Sequence, residues 1–308
     1  MGAQRSGSGR ASSGRKGRSV HAETKGQIAD LVALATQPER QRAAAMDLVR
    51  TSRHPDIVRA GLGILREAED PELRPFLHEK YAWCDAAPER NDSGGIIRAA
   101  IVRALQPIIH GDDWPILQHA LTTYQMLGLY ELCAELRAAA LLAANDLDPD
   151  LAALYAARFL TDPLNSNSGE PALSAVRLLA AHQELPSLVS VASWGEGNPE
   201  VTAEALRNLT ELPASMVPLL ISQYRDSKDE QILLGLFDLL LGHRDRALWR
   251  DEIVQFLRST SLTDLYGLIV MQIVASRDDV LIQTLRDLAE VERDPRRTEL
   301  LELALEHA

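Results

Sequence analysis

Aromatic side chains supply only 5% of this 308-residue chain, although hydrophobic residues in total supply 46%. Any large interior must therefore be aliphatic. It is written in Ala and Leu, which favour helices, and the β-branched and aromatic runs that announce sheets are hardly seen. Little or no strand is expected. Cysteine is scarcer still: Cys84 and Cys133 are too few for a disulfide framework and fit a reducing compartment. Each is expected to sit in a helix as a small apolar residue. No stretch approaches the roughly 18–20 uninterrupted apolar residues of a membrane span, and the N-terminus lacks the apolar core of a signal peptide. The expectation is a cytoplasmic protein without membrane contact. Its Ala- and Leu-rich usage points to a GC-rich bacterial source.

Motifs for chemistry are missing as well. There is no Gly-x-Ser-x-Gly elbow, and Gly7, Gly9, Gly14 and Gly17 lack the strand and helix that a phosphate loop needs. The eight histidines are scattered, and no two form the i, i+4 pair of a zinc helix. His110-Gly111-Asp112-Asp113, with His119, is the densest set of potential ligands. The same aspartates suit a turn capping a helix that starts near Trp114. No metal, cofactor or catalytic group is expected.

The formal charge of −12 is unevenly spread. Residues 1–27 hold Arg5, Arg10, Arg15, Lys16, Arg18 and Lys25 against Glu23 alone, for +5, which leaves −17 on the remainder. This Gly-, Ser- and Arg-rich segment has too few apolar side chains to offset the entropy of ordering and reads as a disordered tail. Its Arg15, Lys16 and Arg18 are candidate contacts to an anionic partner. An acidic body opposes phosphate binding along its own surface, because repulsion cancels the electrostatic contribution on which nucleic-acid affinity depends.

From Ile28 to the end, apolar residues recur at helical spacing, broken about every dozen residues by Pro, Gly, Asn and Asp. Five segments repeat one pattern: Ile57-Val58-Arg59-Ala60, Ile96-Ile97-Arg98-Ala99, Glu135-Leu136-Arg137-Ala138, Ala175-Val176-Arg177-Leu178 and Ala205-Leu206-Arg207-Asn208. Their arginines stand 39, 39, 40 and 30 residues apart. Proline marks helix starts at Pro55, Pro171, Pro199 and Pro295, and those of partner helices at Pro71, Pro115, Pro149, Pro186 and Pro213. Residues 28–308 therefore read as one domain of about seven helix pairs. The breaks Ala87–Gly95 and Asp162–Gly169 read as loops.

Val-Arg after a proline-bearing cap, followed by alternating Ala and Leu, resembles the HEAT-repeat family, and Pro55-Asp56-Ile57-Val58-Arg59-Ala60 is the best match. After Lys228 the Val-Arg signature lapses and periodicity alone continues. The resemblance implies an all-α, α-α superhelix whose units stack into one continuous core. It also implies that Arg59, Arg98, Arg137, Arg177 and Arg207 each pair with an acid or a turn carbonyl near the neighbouring repeat. His78-Glu79 is a lone His-Glu pair, where HEAT-like di-iron hydroxylases use several.

The leading expectation is a non-enzymatic scaffold that holds another protein or a basic peptide along a groove. Trp194, in a glycine-rich connection, is the candidate anchor. Two other readings stay open: a nucleic-acid-associated protein acting through its basic tail, and a helical-repeat lyase or DNA-glycosylase-like enzyme with a dispersed site.

Overall fold

The computed structural model describes residues 13–162, 164, 168–195 and 197–307, with side chains from residue 22 onward. These residues are mostly α-helical, with one short hairpin, and none of their helices is long and apolar enough to cross a membrane. They form two compact units, with the division in the chain between Ala152 and Ala153.

The first unit holds α1 (Ser13–Ala33), α2 (Pro38–Thr51), α3 (Pro55–Glu67), α4 (Arg74–Asp85), α5 (Pro88–Asn91), α6 (Ile96–Leu105), α7 (Trp114–Leu121) and α8 (Ala134–Leu147). Strands β1 (Met126–Leu127) and β2 (Tyr130–Glu131) pair antiparallel between α7 and α8. α9 (Pro149–Leu160) carries the chain into the second unit. There follow α10 (Ala172–Ala181), α11 (Leu185–Trp194), α12 (Pro199–Arg207), α13 (Val217–Tyr224), α14 (Glu230–Gly242), α15 (Arg250–Ser259), α16 (Thr263–Ser276), α17 (Asp279–Val291) and α18 (Pro295–Leu305).

Local chemistry sets these starts. Pro38, Pro55, Pro149, Pro199 and Pro295 open α2, α3, α9, α12 and α18, where the missing N–H costs nothing. Asn198, Asp229, Asp278 and Asp294 accept hydrogen bonds from the free first-turn N–H groups of α12, α14, α17 and α18. At Pro71 a 3-10 turn comes first and α4 opens at Arg74. α13 opens not at Pro213 but at Val217, because Pro218 equally suits a first turn.

Within each unit, alternate helices pack on one another. α3, α6 and α8 form one layer of the first unit, with α2 paired to α3, α4 to α6 and α7 to α8. In the second, α10, α12, α14, α16 and α18 stack in order, while α11, α13 and α17 pair with their sequence neighbours. α3 shows why: Ile57, Val58, Leu62 and Leu65 share one buried stripe, each worth about 1.5–3 kcal/mol when covered. The layer helices of the first unit open 41 and 38 residues apart, but those of the second only 27 to 33 apart. Extra 3-10 turns, α5 and the hairpin lengthen the connections of the first unit.

α1 reaches back to Ser13, inside the segment read as a disordered tail; α1 packs with α2 and α3, and its Leu31 is buried. Residues 1–12 lie outside the described residues, as do the side chains of Arg15, Lys16 and Arg18. The break Ala87–Gly95 contains the one-turn α5 and a short turn over Ser93–Gly95, in which Gly94 and Gly95 take positive φ. Of Asp162–Gly169, residues 163 and 165–167 lie outside the described residues.

Close helix approach makes one glycine indispensable. A Cβ at Gly235 on α14 would stand 2.6 Å from the Ala203 carbonyl oxygen of α12, a backbone atom that cannot rotate aside. Gly63 on α3 faces open space. Gly235→Ala is expected to destabilise by about 2 kcal/mol, whereas Gly63→Ala should stabilise by about 0.5–1 kcal/mol through helix propensity. Urea denaturation of both variants checks the pair, and equal effects would contradict the packing argument.

Candidate functional site

α11 ends at Trp194 because Gly195 follows with φ +74°, a left-handed turn that glycine adopts freely. The last carbonyls of α11 are held from α13: Tyr224 Oη donates to the Ala192 oxygen at 2.5 Å, and Gln223 Nε2 donates to the Ser193 oxygen at 3.2 Å. Tyr224 is buried, and burial pushes its pKa up, so the phenol stays a donor. These bonds fix the helix end while leaving the Trp194 side chain 58% exposed.

The indole stands at a groove of about 440 Å3 between α9 and α11. Ala157, Leu160 and Thr161 line one wall, and Pro186, Ser190 and Val191 lie along the other. On α11, Pro186, Ser190 and Trp194 fall at steps of four, as do Ser187 and Val191, so they share one helical face. The lining is chiefly aliphatic, with hydroxyls from Ser187, Ser190 and Thr161 as its polar groups. Such a surface can take up an apolar side chain and orient a polar backbone beside it. It holds no titratable group.

The five repeat arginines meet different fates. Arg59 is exposed and has no ion-pair partner among the described residues. Arg98, 1% exposed, donates from Nε to Asp92 Oδ2 at 2.9 Å and from Nη1 to Asp85 Oδ1 at 2.8 Å. Arg137, fully buried, lies with Nη2 2.9 Å from Glu131 Oε2, an ion pair whose alignment falls short of a hydrogen bond. Its Nη1 donates to the Thr123 oxygen at 3.1 Å, and its guanidinium covers the Tyr124 ring at 4.0 Å. In the second unit Arg177 and Arg207 share Glu204, each at 3.1 Å, and Arg207 reaches Asp238 at 3.3 Å. The ladder therefore presents no free basic stripe.

Asp92 and Glu131 were not singled out in the sequence, yet a signal was present: each precedes its arginine by six residues. Both carboxylates also collect backbone donors. Asp92 accepts from the N–H of Ile97 and Arg98, and Glu131 from those of Gln125 and Cys133.

A wider cleft of about 520 Å3 is lined by Asp85, Glu89, Arg98, His119 and Tyr124 among others. Its guanidinium is already shared by two carboxylates. Tyr81 Oη lies 3.1 Å from His119 Nδ1, but Tyr81 is buried, and burial pushes its hydroxyl far above its ordinary range. His110-Gly111-Asp112-Asp113 forms a reciprocal cap, His110 Nδ1 accepting from the Asp112 N–H while Asp113 accepts from the His110 N–H. No three metal-binding side chains converge among the described residues.

Cys84 lies within α4, whereas Cys133 sits just before α8 as its N-cap. Both are buried, and burial pushes their thiols up to about 12 and about 11, far from a reactive thiolate.

No family model matches this chain, and neither a curated protein nor a solved structure is found similar to it.

Proposed function

We propose that the chain is a non-enzymatic partner-binding module of HEAT-like helical repeats, which takes a basic, partly apolar peptide segment in the groove between α9 and α11. One observation carries the reading: an exposed tryptophan, fixed at a capped helix end, stands at a mainly aliphatic groove. A ring of that size held in water costs free energy that a partner's apolar side chain recovers by covering it. The basic character of the segment follows from charge. Residues 153–308 hold 14 basic and 24 acidic side chains, for −10, so a cationic segment is drawn in and an anionic one repelled. The alternate-helix stacks within each unit support the repeat reading, because units that share a core also create extended faces.

The test is peptide selection against the intact chain, followed by titration of the winners. Enrichment for Lys or Arg beside an aromatic or aliphatic residue is expected, with affinity at least about tenfold weaker for Trp194→Ala and falling as salt rises. Winners without basic residues, or winners that bind Trp194→Ala unchanged, would overturn the proposal.

A further inference from the structure

Exposed large apolar side chains are scattered over most of the described residues, as on any protein surface. The β1–β2 hairpin is the exception. Met126, Leu127, Leu129 and Tyr130 are 47%, 66%, 95% and 64% exposed, and Gly128 alone interrupts them. Nowhere else among the described residues do two such side chains stand closer than three positions apart. Together the four leave roughly 500 Å2 of mostly apolar surface in water, within the range of about 300–600 Å2 that marks the largest, and often functional, patch of a monomer.

Strand pairing decides which face is bare. Leu127 stands opposite Tyr130 and Met126 opposite Glu131, and successive side chains of a strand point to opposite faces. Glu131 is buried. Its Oε1 accepts from the N–H groups of Gln125 and Cys133, one at each end of the hairpin, and its Oε2 pairs with the buried Arg137. Met126, on the same face as Glu131, lines the cleft beside Tyr124 and Gln125. The Leu127–Tyr130 pair is therefore the outward face, with Leu129 at the turn beyond it. Because one carboxylate holds both ends of the hairpin, the apolar tip stands on a fixed base, and binding has little chain left to order.

We propose that this tip is the contact of a two-fold dimer, covered by the same hairpin of a second copy of the chain. A two-fold contact sets one patch against itself, so the patch must be its own complement. Met126–Tyr130 carry no charge, and a second copy therefore brings no like charge against them. The area agrees: two such tips bury about 1,000 Å2, the size at which specific interfaces begin, which makes the dimer a weak one with a dissociation constant in the micromolar range. The formal charge of −12 on each chain opposes the approach, so salt, by screening it, should tighten the dimer. The contact is separate from the Trp194 groove, whose ligand is held less well as salt rises, and does not depend on that reading.

Sedimentation equilibrium of the full chain from about 1 to 500 μM tests the proposal. A monomer–dimer equilibrium is expected, moving toward dimer as sodium chloride is raised. Leu129→Glu changes an almost fully exposed position that the fold does not need. It should weaken the dimer at least about tenfold, because each copy would bring a charge into the apolar contact. Leu248→Glu makes the same change at an exposed leucine of the second unit and should leave the dimer as it is. A chain that stays monomeric throughout would leave the hairpin to a different protein and overturn the proposal. So would a dimer that Leu129→Glu leaves intact, that Leu248→Glu weakens equally, or that added salt dissociates.

Discussion

Replacing Arg137 with methionine is expected to destabilise the protein by about 3–5 kcal/mol, the cost of leaving one member of a buried ion pair without its partner. Methionine fills much of the arginine stem's volume, so the loss reports the charge more than a void. Glu131 would keep its backbone donors from Gln125 and Cys133, but both bind Oε1, and Oε2 would face no cation. The Thr123 carbonyl would lose its donor and the Tyr124 ring its cation. All these groups lie in the connection from α7 to α8, so the damage has an address: the β1–β2 hairpin should exchange its amide hydrogens faster before the helices do. Adding Glu131→Gln to Arg137→Met should recover part of the loss, since no buried charge then stands alone. Urea denaturation measures both steps, and a single-variant loss below about 1 kcal/mol would show that the pair does not hold the hairpin.

The same node shows how far the sequence could be read. The prolines located the starts of α3, α7, α9, α10, α11, α12 and α18, because a missing N–H and a fixed φ act within one turn and need no tertiary partner. The shared Val-Arg pattern was visible too, but it did not separate the arginines. Arg59 is solvent-exposed while Arg98 and Arg137 are buried, and the difference lies six residues upstream, where Arg98 and Arg137 have an acid and Arg59 has Arg53. The hairpin escaped notice because two-residue strands leave no alternating pattern to read. The boundary read at Ile28 falls inside α1, because composition separates the Gly-, Ser- and Arg-rich stretch from the apolar periodicity that begins there, whereas the helix runs across it.

Trp194 was legible as a candidate, since a large ring beside glycines announces itself. The groove it borders was not, because Ala157 and Leu160 come from another helix and are ordinary core-type residues in sequence.

Asp113 is where the pH dependence of stability should concentrate. Its carboxylate is fully buried. Arg74 donates to it from Nε and Nη2, the His110 N–H donates at 2.8 Å, and His78 Nε2 lies 2.5 Å away. Burial alone would push its pKa up, but the Arg74 and His110 hydrogen bonds and the His78 contact outweigh that and hold it below the ordinary 3.8. The folded state therefore binds this proton more weakly than the unfolded chain does. The resulting stabilisation is complete above about pH 4 and fades as pH falls through the depressed value. Asp113→Asn, which puts an amide donor against other donors, is expected to cost about 3 kcal/mol at neutral pH. The gap between wild type and variant should narrow steadily below about pH 4, because protonation removes from the wild type what the substitution removed from the variant. Denaturation midpoints followed from pH 7 to pH 2.5 decide the matter: a gap that stays constant across that range would mean that Asp113 contributes shape and hydrogen bonds, and that its charge is not what joins α4 to the turn before α7.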